Sequence, residues 1–136
     1  MISTAEVGSS DELTLGSILI VDDDRSVADT FSRLLTLEGY QVTTALDPGV
    51  GLELAESIRP SAIILDMRMP LISGIQFLRA IRSRPHLAHT PIAIVTGDFF
   101  LSDDLIQEVA TLNAALRFKP MWVEDLVELA RSLTPR

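Results

Sequence analysis

The chain contains no cysteine in 136 residues, which excludes a disulfide framework, a thiolate metal site and a cysteine nucleophile. It also lacks an apolar run approaching the roughly 20 residues that span a bilayer, so we expect no membrane segment. The N-terminus has no cationic start followed by an apolar stretch, and a secretory signal is therefore not supported. The cytoplasm is the expected location.

Basic residues are also few. The 11 Lys and Arg stand against 19 Asp and Glu, which gives a net charge of −8, and we therefore expect no direct binding of nucleic acid. Hydrophobic residues make up 47% and charged residues 22%, a composition typical of a folded globular chain with one core. Residues 1–16 are small and polar and are predicted to form a mobile arm, followed by one domain over residues 17–136.

Short apolar runs alternate with helical patterns five times after this arm. Strands are predicted at residues 18–21, 40–45, 62–65, 92–95 and 115–118, and a helix follows each of them. Short connections between strand and helix favour right-handed crossovers and a parallel sheet covered on both faces. The pattern predicts an α/β, flavodoxin-like (βα)5 doubly wound fold with strand order 2-1-3-4-5. In that order a site lies at the carboxyl ends of strands 1 and 3.

Polar residues stand at the carboxyl ends of four predicted strands: Asp22 and Asp23 after the first, Asp66 after the third, Thr96 after the fourth and Lys119 after the fifth. Neighbouring carboxylates repel one another and need a positive counterweight. Mg²⁺ suits them, because it is held by carboxylates, waters and phosphate oxygens. The lysine and the threonine hydroxyl can contact phosphoryl oxygens, and a carboxylate so placed is a competent nucleophile toward phosphorus. The sequence predicts a site for Mg²⁺ and a phosphoryl group.

Each residue also has an ordinary structural explanation. Asp22, Asp23 and Asp24 are all suited to cap the first helix, and Thr96 and Lys119 are common types of strand exit. The joint pattern favours a site, because all of these positions fall at one edge of the predicted sheet.

Residues 17–136 resemble the receiver domain of two-component response regulators. The matching segments are Ile-Leu-Ile-Val-Asp-Asp-Asp (18–24), Ile-Ile-Leu-Asp-Met-Arg-Met-Pro (63–70), Ser-Gly (73–74), Ile-Val-Thr-Gly (94–97) and Phe-Lys-Pro (118–120). They occur in the order of the family and together form a specific set.

The resemblance implies that Asp66 accepts a phosphoryl group from a phosphohistidine on a sensor histidine kinase or a histidine phosphotransfer protein. The domain then shifts between inactive and active conformations. Mg²⁺ would be bound by the carboxylates of Asp23 and Asp66 and the backbone carbonyl of Arg68, with Asp22 acting mainly through water.

Thr96 and Lys119 would contact the phosphoryl oxygens, and the family often has a cis peptide bond before the proline at position 120. The protein would catalyse only its own phosphorylation and dephosphorylation, so it is not expected to be an enzyme. By analogy, a homodimer would form through the face of helix 4, strand 5 and helix 5. Because the sequence ends soon after the fifth helix, we expect no output domain in it, and both a single-domain regulator and a receiver cut from a longer protein remain open.

Two residues depart from the usual family pattern. The family pairs the hydroxyl residue, here Thr96, with a Tyr or Phe switch residue on strand 5, but this chain has Leu116 there. We therefore expect no standard aromatic rotation in the switch. Arg68 lies two residues after Asp66, where its side chain can lean over the phosphoryl group. Our hypothesis is that it sets the lifetime of the phosphorylated state.

The segment after Thr96 gives weaker signals. Asp98 is expected either near the acidic pocket through water or in solvent. Phe99 and Phe100 cannot share one face, which predicts that at least one packs in the core while the other is exposed to a partner.

Two other functions compete with the receiver interpretation. In a haloacid dehalogenase-like phosphatase, Asp22 would be the nucleophile of the Asp-x-Asp motif formed by residues 22–24. Only residues 121–136 are then left for its later acidic motif, there is no cap insertion, and Asp66 has no role. The other alternative is a phosphorylation-independent protein-binding module on a receiver scaffold, which would bind Mg²⁺ poorly.

Overall fold

A parallel sheet of five strands forms the centre of the computed structural model, which describes residues 15–135. The strands are β1 (Ser17–Val21), β2 (Gln41–Ala45), β3 (Ala62–Leu65), β4 (Ile92–Thr96) and β5 (Ala115–Phe118). Their order is β2-β1-β3-β4-β5, and every neighbouring pair is parallel. The predicted flavodoxin-like topology is confirmed.

A helix follows each strand, and most of these helices begin after a residue that caps the N-terminus. The helices are α1 (Arg25–Glu38), α2 (Pro48–Ile58), α3 (Gly74–Arg82), α4 (Asp103–Thr111) and α5 (Val123–Leu133). The first four begin after a capping side chain that accepts hydrogen bonds from the first-turn amides: Asp24, Asp47, Ser73 and Ser102. Gly39 ends α1 in the left-handed region with φ 114°, and Tyr40 N–H still donates to Leu35 O at 3.1 Å, so β2 starts at Gln41 and not at Tyr40.

The core consists of two apolar layers, one on each face of the sheet. The first packs β1, β3 and β4 against α2, α3 and α4, and the second packs them against α1 and α5. Residues of one strand alternate between the layers, as Leu19 and Ile20 do. β1, β3 and β4 are therefore buried on both faces, and polar side chains are accommodated where these strands end.

Residues 15 and 16, which the sequence analysis assigns to the arm, form hydrogen bonds with the segment that leads into β2. Leu15 N–H donates to Gly39 O at 3.0 Å, and Gly16 O accepts from Gln41 N–H at 3.0 Å. Leu15 also packs against the core layer of α1 and α5. These hydrogen bonds extend the pairing of β1 with β2 toward the N-terminus. The remaining part of the predicted arm, residues 1–14, lies outside the described residues.

Arg82 joins the end of α3 to the segment that follows it. Its guanidinium donates to four backbone carbonyls, those of Ala88 (3.2 Å), Thr90 (2.7 Å), Leu112 (2.7 Å) and Asn113 (3.2 Å). Burial lowers the pKa of the Arg82 guanidinium from its ordinary value, but an arginine in a protein stays charged. This single side chain therefore fixes both the loop after α3 and the turn between α4 and β5.

The outer edge of the sheet beside β5 is partly occupied by its own side chain. Arg117 Nη1 donates to the carbonyl oxygen of Leu116 at 2.9 Å. No helix within residues 15–135 is long and apolar enough to cross a membrane.

Candidate functional site

The predicted site residues meet at the carboxyl edge of the sheet. Three of them continue the sheet by a backbone hydrogen bond to the neighbouring strand: Asp22 N–H to Ala45 O (3.1 Å), Asp66 N–H to Val21 O (3.0 Å) and Lys119 N–H to Thr96 O (2.8 Å). Asp22 and Asp66 follow strands that are buried on both faces, and Lys119 is hydrogen-bonded to the end of a third such strand, β4, so the fold fixes the backbone positions of all three residues.

Lys119 lies between two buried carboxylates. Its Nζ is 3.1 Å from Asp22 Oδ2 and 3.8 Å from Asp66 Oδ2. The opposite oxygens of the two carboxylates are held by backbone amides, Asp22 Oδ1 by Asp24 N–H at 2.9 Å and Asp66 Oδ1 by Met67 N–H at 2.8 Å. One oxygen of each carboxylate therefore faces the lysine.

A third carboxylate completes the acidic cluster. Oxygens of Asp22, Asp23 and Asp66 lie within 4.8 Å of one another, with Asp22 and Asp66 buried and Asp23 exposed. Three carboxylates and one lysine leave an excess of negative charge, and hard oxygen donors at this spacing fit Mg²⁺. Asp24 has the separate role of capping α1, since its Oδ1 accepts from Ser26 N–H at 2.9 Å. The capping explanation thus applies to Asp24, while Asp22 and Asp23 face the cluster.

The Asp66 carboxyl is electrostatically unfavourable in the metal-free protein. Burial is the largest cause that raises its pKa above the ordinary value, and the charge of Asp22 raises it further. Lys119 and the backbone N–H groups of Met67 and Arg68 oppose the rise. The fold therefore destabilises the ionised form of the Asp66 carboxyl, and a bound cation would stabilise it.

We expect Asp66→Asn to raise the free energy of unfolding at pH 7. The folded carboxyl has a raised pKa, so it binds its proton more tightly than the unfolded chain does. Wild-type stability therefore falls as the pH rises through the interval between the ordinary and the raised pKa. The amide cannot ionise, so the advantage of the variant should be absent at pH 3 and present at pH 7.

Urea unfolding of both chains without Mg²⁺ at the two pH values measures this difference. Asp29→Asn removes the same charge from an exposed position on α1 and should show no such gain. A variant that is no more stable than wild type at pH 7 would contradict the electrostatic description of Asp66.

Thr96 forms the other side of the site. The residue is fully buried, and its Oγ1 accepts from Asp98 N–H at 3.1 Å. The hydroxyl oxygen is held by this bond, so its hydrogen is available to a group in the cavity that Thr96 lines with Asp66 and Lys119. The same cavity is lined by Arg68, Gly97 and Asp98.

Arg68 and Asp98 form an ion pair at this cavity. Arg68 Nε donates to Asp98 Oδ2 at 2.7 Å, and Arg68 Nη2 donates to the same oxygen. Phe100 N–H donates to the other oxygen at 2.9 Å. The Phe100 amide is the first cause that lowers the pKa of the Asp98 carboxyl, and Arg68 is the second. The sequence placed Arg68 beside the phosphoryl group and left both the pocket and solvent open for Asp98. It did not predict the ion pair, because residues 30 positions apart on different loops share no sequence pattern.

Leu116 is partly buried and lies opposite Ile94 in the register of β4 and β5.

The prediction that at least one of Phe99 and Phe100 packs in the core is wrong, since both side chains are exposed, by 62% and 93%. Phe99 stacks on Phe118 with ring centroids 5.4 Å apart, so its ring packs on another exposed aromatic side chain and not in the core. The Lys119–Pro120 peptide bond is cis, as the resemblance implies.

Comparison with known proteins identifies the family. The response regulator receiver domain model matches residues 18–131, and the chain belongs to this family. It is 36% identical over 122 residues to the response regulator MprA of Mycolicibacterium vanbaalenii, covering 88% of this chain and 50% of that protein. The chain therefore spans about half the length of the curated relatives it matches.

Solved structures of similar proteins support the same family assignment. The chemotaxis response regulator CheY4 of Vibrio cholerae superposes with a TM-score of 0.80 at 31% identity, covering 88% of this chain and 99% of that one. A CheY-like receiver domain protein from Methanospirillum hungatei gives a TM-score of 0.77 at 31% identity, covering 88% and 94%.

The chain is thus a signalling module of two-component systems rather than a conventional enzyme. Response regulators receive phosphoryl groups from histidine kinases, and receiver domains bind Mg²⁺ at an acidic pocket. Neither the phosphatase nor the phosphorylation-independent module is favoured by these similarities.

Proposed function

We propose that Asp66 is the phosphoacceptor and receives its phosphoryl group from the phosphohistidine of a sensor histidine kinase or a histidine phosphotransfer protein. The observation that carries this assignment is the position of Asp66 Oδ2. It lies 3.8 Å from Lys119 Nζ, within the three-carboxylate cluster, and Asp66 lines an open cavity. A donor imidazole can therefore approach a nucleophile whose surroundings already contain the charges that a phosphoryl group requires.

The transfer exchanges one bond to phosphorus for another. A carboxylate oxygen of Asp66 attacks the phosphorus atom and forms the O–P bond of an acyl phosphate. The N–P bond of the donor breaks, the electron pair stays on the imidazole nitrogen, and that nitrogen takes up a proton to leave neutral histidine. Phosphoryl transfer depends mainly on positioning and charge stabilisation, and the site offers both.

Lys119 and Thr96 would contact the transferred group. The ammonium of Lys119 lies between Asp22 and Asp66 and can move its charge to a phosphoryl oxygen. The Thr96 hydroxyl hydrogen can be donated to another oxygen because its Oγ1 already accepts from Asp98 N–H.

The acidic cluster supplies the ligands for the metal ion. The carboxylates of Asp23 and Asp66 and the backbone carbonyl of Arg68 would hold Mg²⁺, with Asp22 acting through water. When bound, the ion neutralises charge on the carboxylates and on the phosphoryl oxygens.

The remaining parts of the proposal concern what phosphorylation changes. Thr96 and Leu116 are the proposed switch pair, and the change is an inward movement of an aliphatic side chain instead of an aromatic rotation. The face formed by α4, β5 and α5 is the proposed homodimer surface, because Ile106 and Phe118 are exposed on it by 40% and 39%. The cytoplasm, which is typical of receiver domains, is the proposed location, and the net charge of −8 disfavours direct contact of this chain with nucleic acid.

Incubation with acetyl phosphate and Mg²⁺, followed by intact mass measurement, tests the assignment. We expect wild type to gain the mass of one phosphoryl group, and EDTA or Asp66→Asn to abolish the gain. Asp22→Asn should retain some of it, which separates this function from a phosphatase with Asp22 as nucleophile. A mass gain that survives Asp66→Asn and disappears in Asp22→Asn would overturn the proposal.

A further inference from the structure

The aromatic residues of the chain divide into a buried group and an exposed group. Phe31, Tyr40 and Phe77 are buried in the core layers. The exposed group consists of Phe99, Phe100, Phe118 and Trp122. These four belong to the connections that follow two neighbouring strands, β4 and β5, with Phe118 as the last residue of β5. Exposed apolar side chains need no explanation when they are scattered, but several together mark an interaction site.

Phe99 and Phe118 join the two connections into one surface. Their rings stack with centroids 5.4 Å apart, and Phe118 remains 39% exposed. Phe118 also lines a groove of about 280 Å³ between the end of β5 and α5, together with the apolar side chains of Met121 and Leu129. This volume is below the roughly 300–1,000 Å³ of pockets for small molecules, so the groove suits a side chain of a partner protein.

The charges around this surface are mainly negative. Five exposed carboxylates lie in the first halves of α4 and α5: Asp103, Asp104, Glu124, Asp125 and Glu128. The dipole of each helix favours acids in its first turn, but Glu128 lies beyond that turn. Asp125 and Glu128 are three positions apart on one side of α5, and both line the groove. Arg117 lines it as well and offsets one of these charges, so the groove is an apolar cleft with an excess of negative charge.

We propose that this surface binds a basic amphipathic helix of another protein. We call it the aromatic–acidic surface, and it consists of Phe99, Phe100, Phe118, Trp122, Asp125 and Glu128. Apolar side chains of the helix pack on the aromatic rings, a residue type that is enriched at the centres of protein interfaces. A Lys or Arg side chain of the helix enters the groove, with its methylene groups on Met121 and Leu129 and its charge beside the two carboxylates. Anchors at helical spacing are the usual way in which an amphipathic helix is recognised.

Charge and backbone pairing disfavour the other occupants. Nucleic acid and anionic lipid carry the same sign of charge as the five carboxylates and are repelled. A second copy brings the same acids against each other, which is costly at an interface. A strand added beside β5 meets the Leu116 carbonyl, which already accepts from Arg117. Phe118 also belongs to the proposed homodimer surface, so binding of the helix and self-association through that surface exclude each other.

A synthetic helix provides the probe for this surface. It is a fluorescein-labelled peptide of about 18 residues, with Leu on one face, Arg and Ala on the other, and no aromatic residue. Fluorescence anisotropy should show saturable binding to unphosphorylated protein with a Kd on the order of 10 μM. Trp122 is the single Trp of the chain, and with unlabelled peptide its emission should move to shorter wavelength as the indole leaves water. A peptide with Glu in place of each Arg should not bind.

Two variants remove the apolar and the charged part of the surface separately. We expect Phe100→Ser to weaken binding of the basic peptide about tenfold, because its side chain is the most exposed of the four aromatic residues. Asp125→Asn/Glu128→Gln should weaken it about fivefold. The asparagine keeps an acceptor for Trp122 N–H at the start of α5, so the helix should be preserved. Urea unfolding checks that both variants are as stable as wild type.

Matched controls carry the same kinds of change elsewhere on the molecule. Leu37→Ser removes an exposed apolar side chain from α1. Asp29→Asn/Glu53→Gln removes two exposed carboxylates from α1 and α2, so the net charge changes as it does in the surface variant. Both controls should bind the peptide within about twofold of wild type, because exposed charges beyond a Debye length are screened in physiological salt.

The controls distinguish a specific surface from general attraction to an acidic protein. If Asp29→Asn/Glu53→Gln weakens binding as much as Asp125→Asn/Glu128→Gln does, the proposal is wrong. It is also wrong if Phe100→Ser binds the peptide like wild type.

Two further measurements do not depend on the stability of the surface variants. Backbone amide resonances should shift on peptide addition in residues 99–104 and 118–128 and stay constant in α2, and the reverse pattern would overturn the proposal. Sedimentation tests the second copy as occupant. A dimer that Phe118→Ser dissociates and that the peptide leaves intact would assign the surface to self-association and contradict the proposal. All of these measurements use unphosphorylated protein, so their outcome is independent of phosphorylation at Asp66.

Discussion

Replacing Gly74 by alanine is expected to destabilise the chain by about 2 kcal/mol and to slow phosphorylation of Asp66 about tenfold. Gly74 is the first residue of α3 and packs directly beneath the phosphoacceptor. A Cβ at this position would lie 2.5 Å from the backbone oxygen of Asp66 and 2.8 Å from Met67 Cα. Both neighbours are backbone atoms, so the clash cannot be relieved by a side-chain rotation.

The gain in helix propensity from alanine is smaller than the cost of this clash. Alanine in place of glycine favours a helix by up to about 1 kcal/mol, which does not offset the displacement of two packed backbone segments. The displaced segment carries Asp66 and its Met67 N–H contact, so the position of the nucleophile changes along with the stability.

Gly97→Ala is the matched control for this prediction. Gly97 also borders the cavity, but a Cβ there has no heavy atom within 4 Å. We expect wild-type stability in urea and a wild-type rate of mass gain from acetyl phosphate. If Gly74→Ala behaves like Gly97→Ala in both measurements, the close contact beneath Asp66 is not what positions it.

Loss of Arg82 should destabilise the chain by about 3 kcal/mol, because it leaves four backbone carbonyls without their donor. Arg82 holds both the loop after α3 and the turn before β5. Arg82→Lys should recover only part of the stability, since one ammonium cannot reproduce the fork that reaches acceptors on two segments.

Urea unfolding of Arg82→Ala, Arg82→Lys and Arg79→Ala provides the comparison. Arg79 is exposed and pairs with Glu108 by side chains alone, so its loss leaves no backbone group without a partner and should have a much smaller effect. If Arg82→Ala and Arg79→Ala lower the free energy of unfolding equally, the four hydrogen bonds from Arg82 to backbone carbonyls do not stabilise the chain more than an exposed ion pair does.

The sheet and its acidic edge are predictable from the sequence because local patterns determine them. A buried parallel strand reads as a continuous apolar run, and a carboxylate that interrupts it, as Asp66 does after Leu65, has only the strand end to occupy. Strand order then brings Asp22, Asp66 and Lys119 together without further information.

Features that depend on contacts between distant loops are not predictable in this way. The Arg68–Asp98 pair, the Phe99–Phe118 stack and the approach of Gly74 to the Asp66 carbonyl each join segments whose separation is set by loop geometry. The prediction that at least one of Phe99 and Phe100 is buried failed for the same reason. Phe99 stacks on Phe118 at the end of β5, a contact that the sequence of the loop does not indicate.

The guanidinium of Arg117 has a consequence for self-association. It donates to the carbonyl of Leu116, an acceptor that a strand added beside β5 could otherwise use. Extension of the sheet from one molecule into the next is thereby obstructed, and aggregation by edge-to-edge strand addition is disfavoured. An association of two copies of this domain would then rest on side chains, such as those of the proposed α4-β5-α5 face, and such a contact can be weak, reversible and responsive to small shifts.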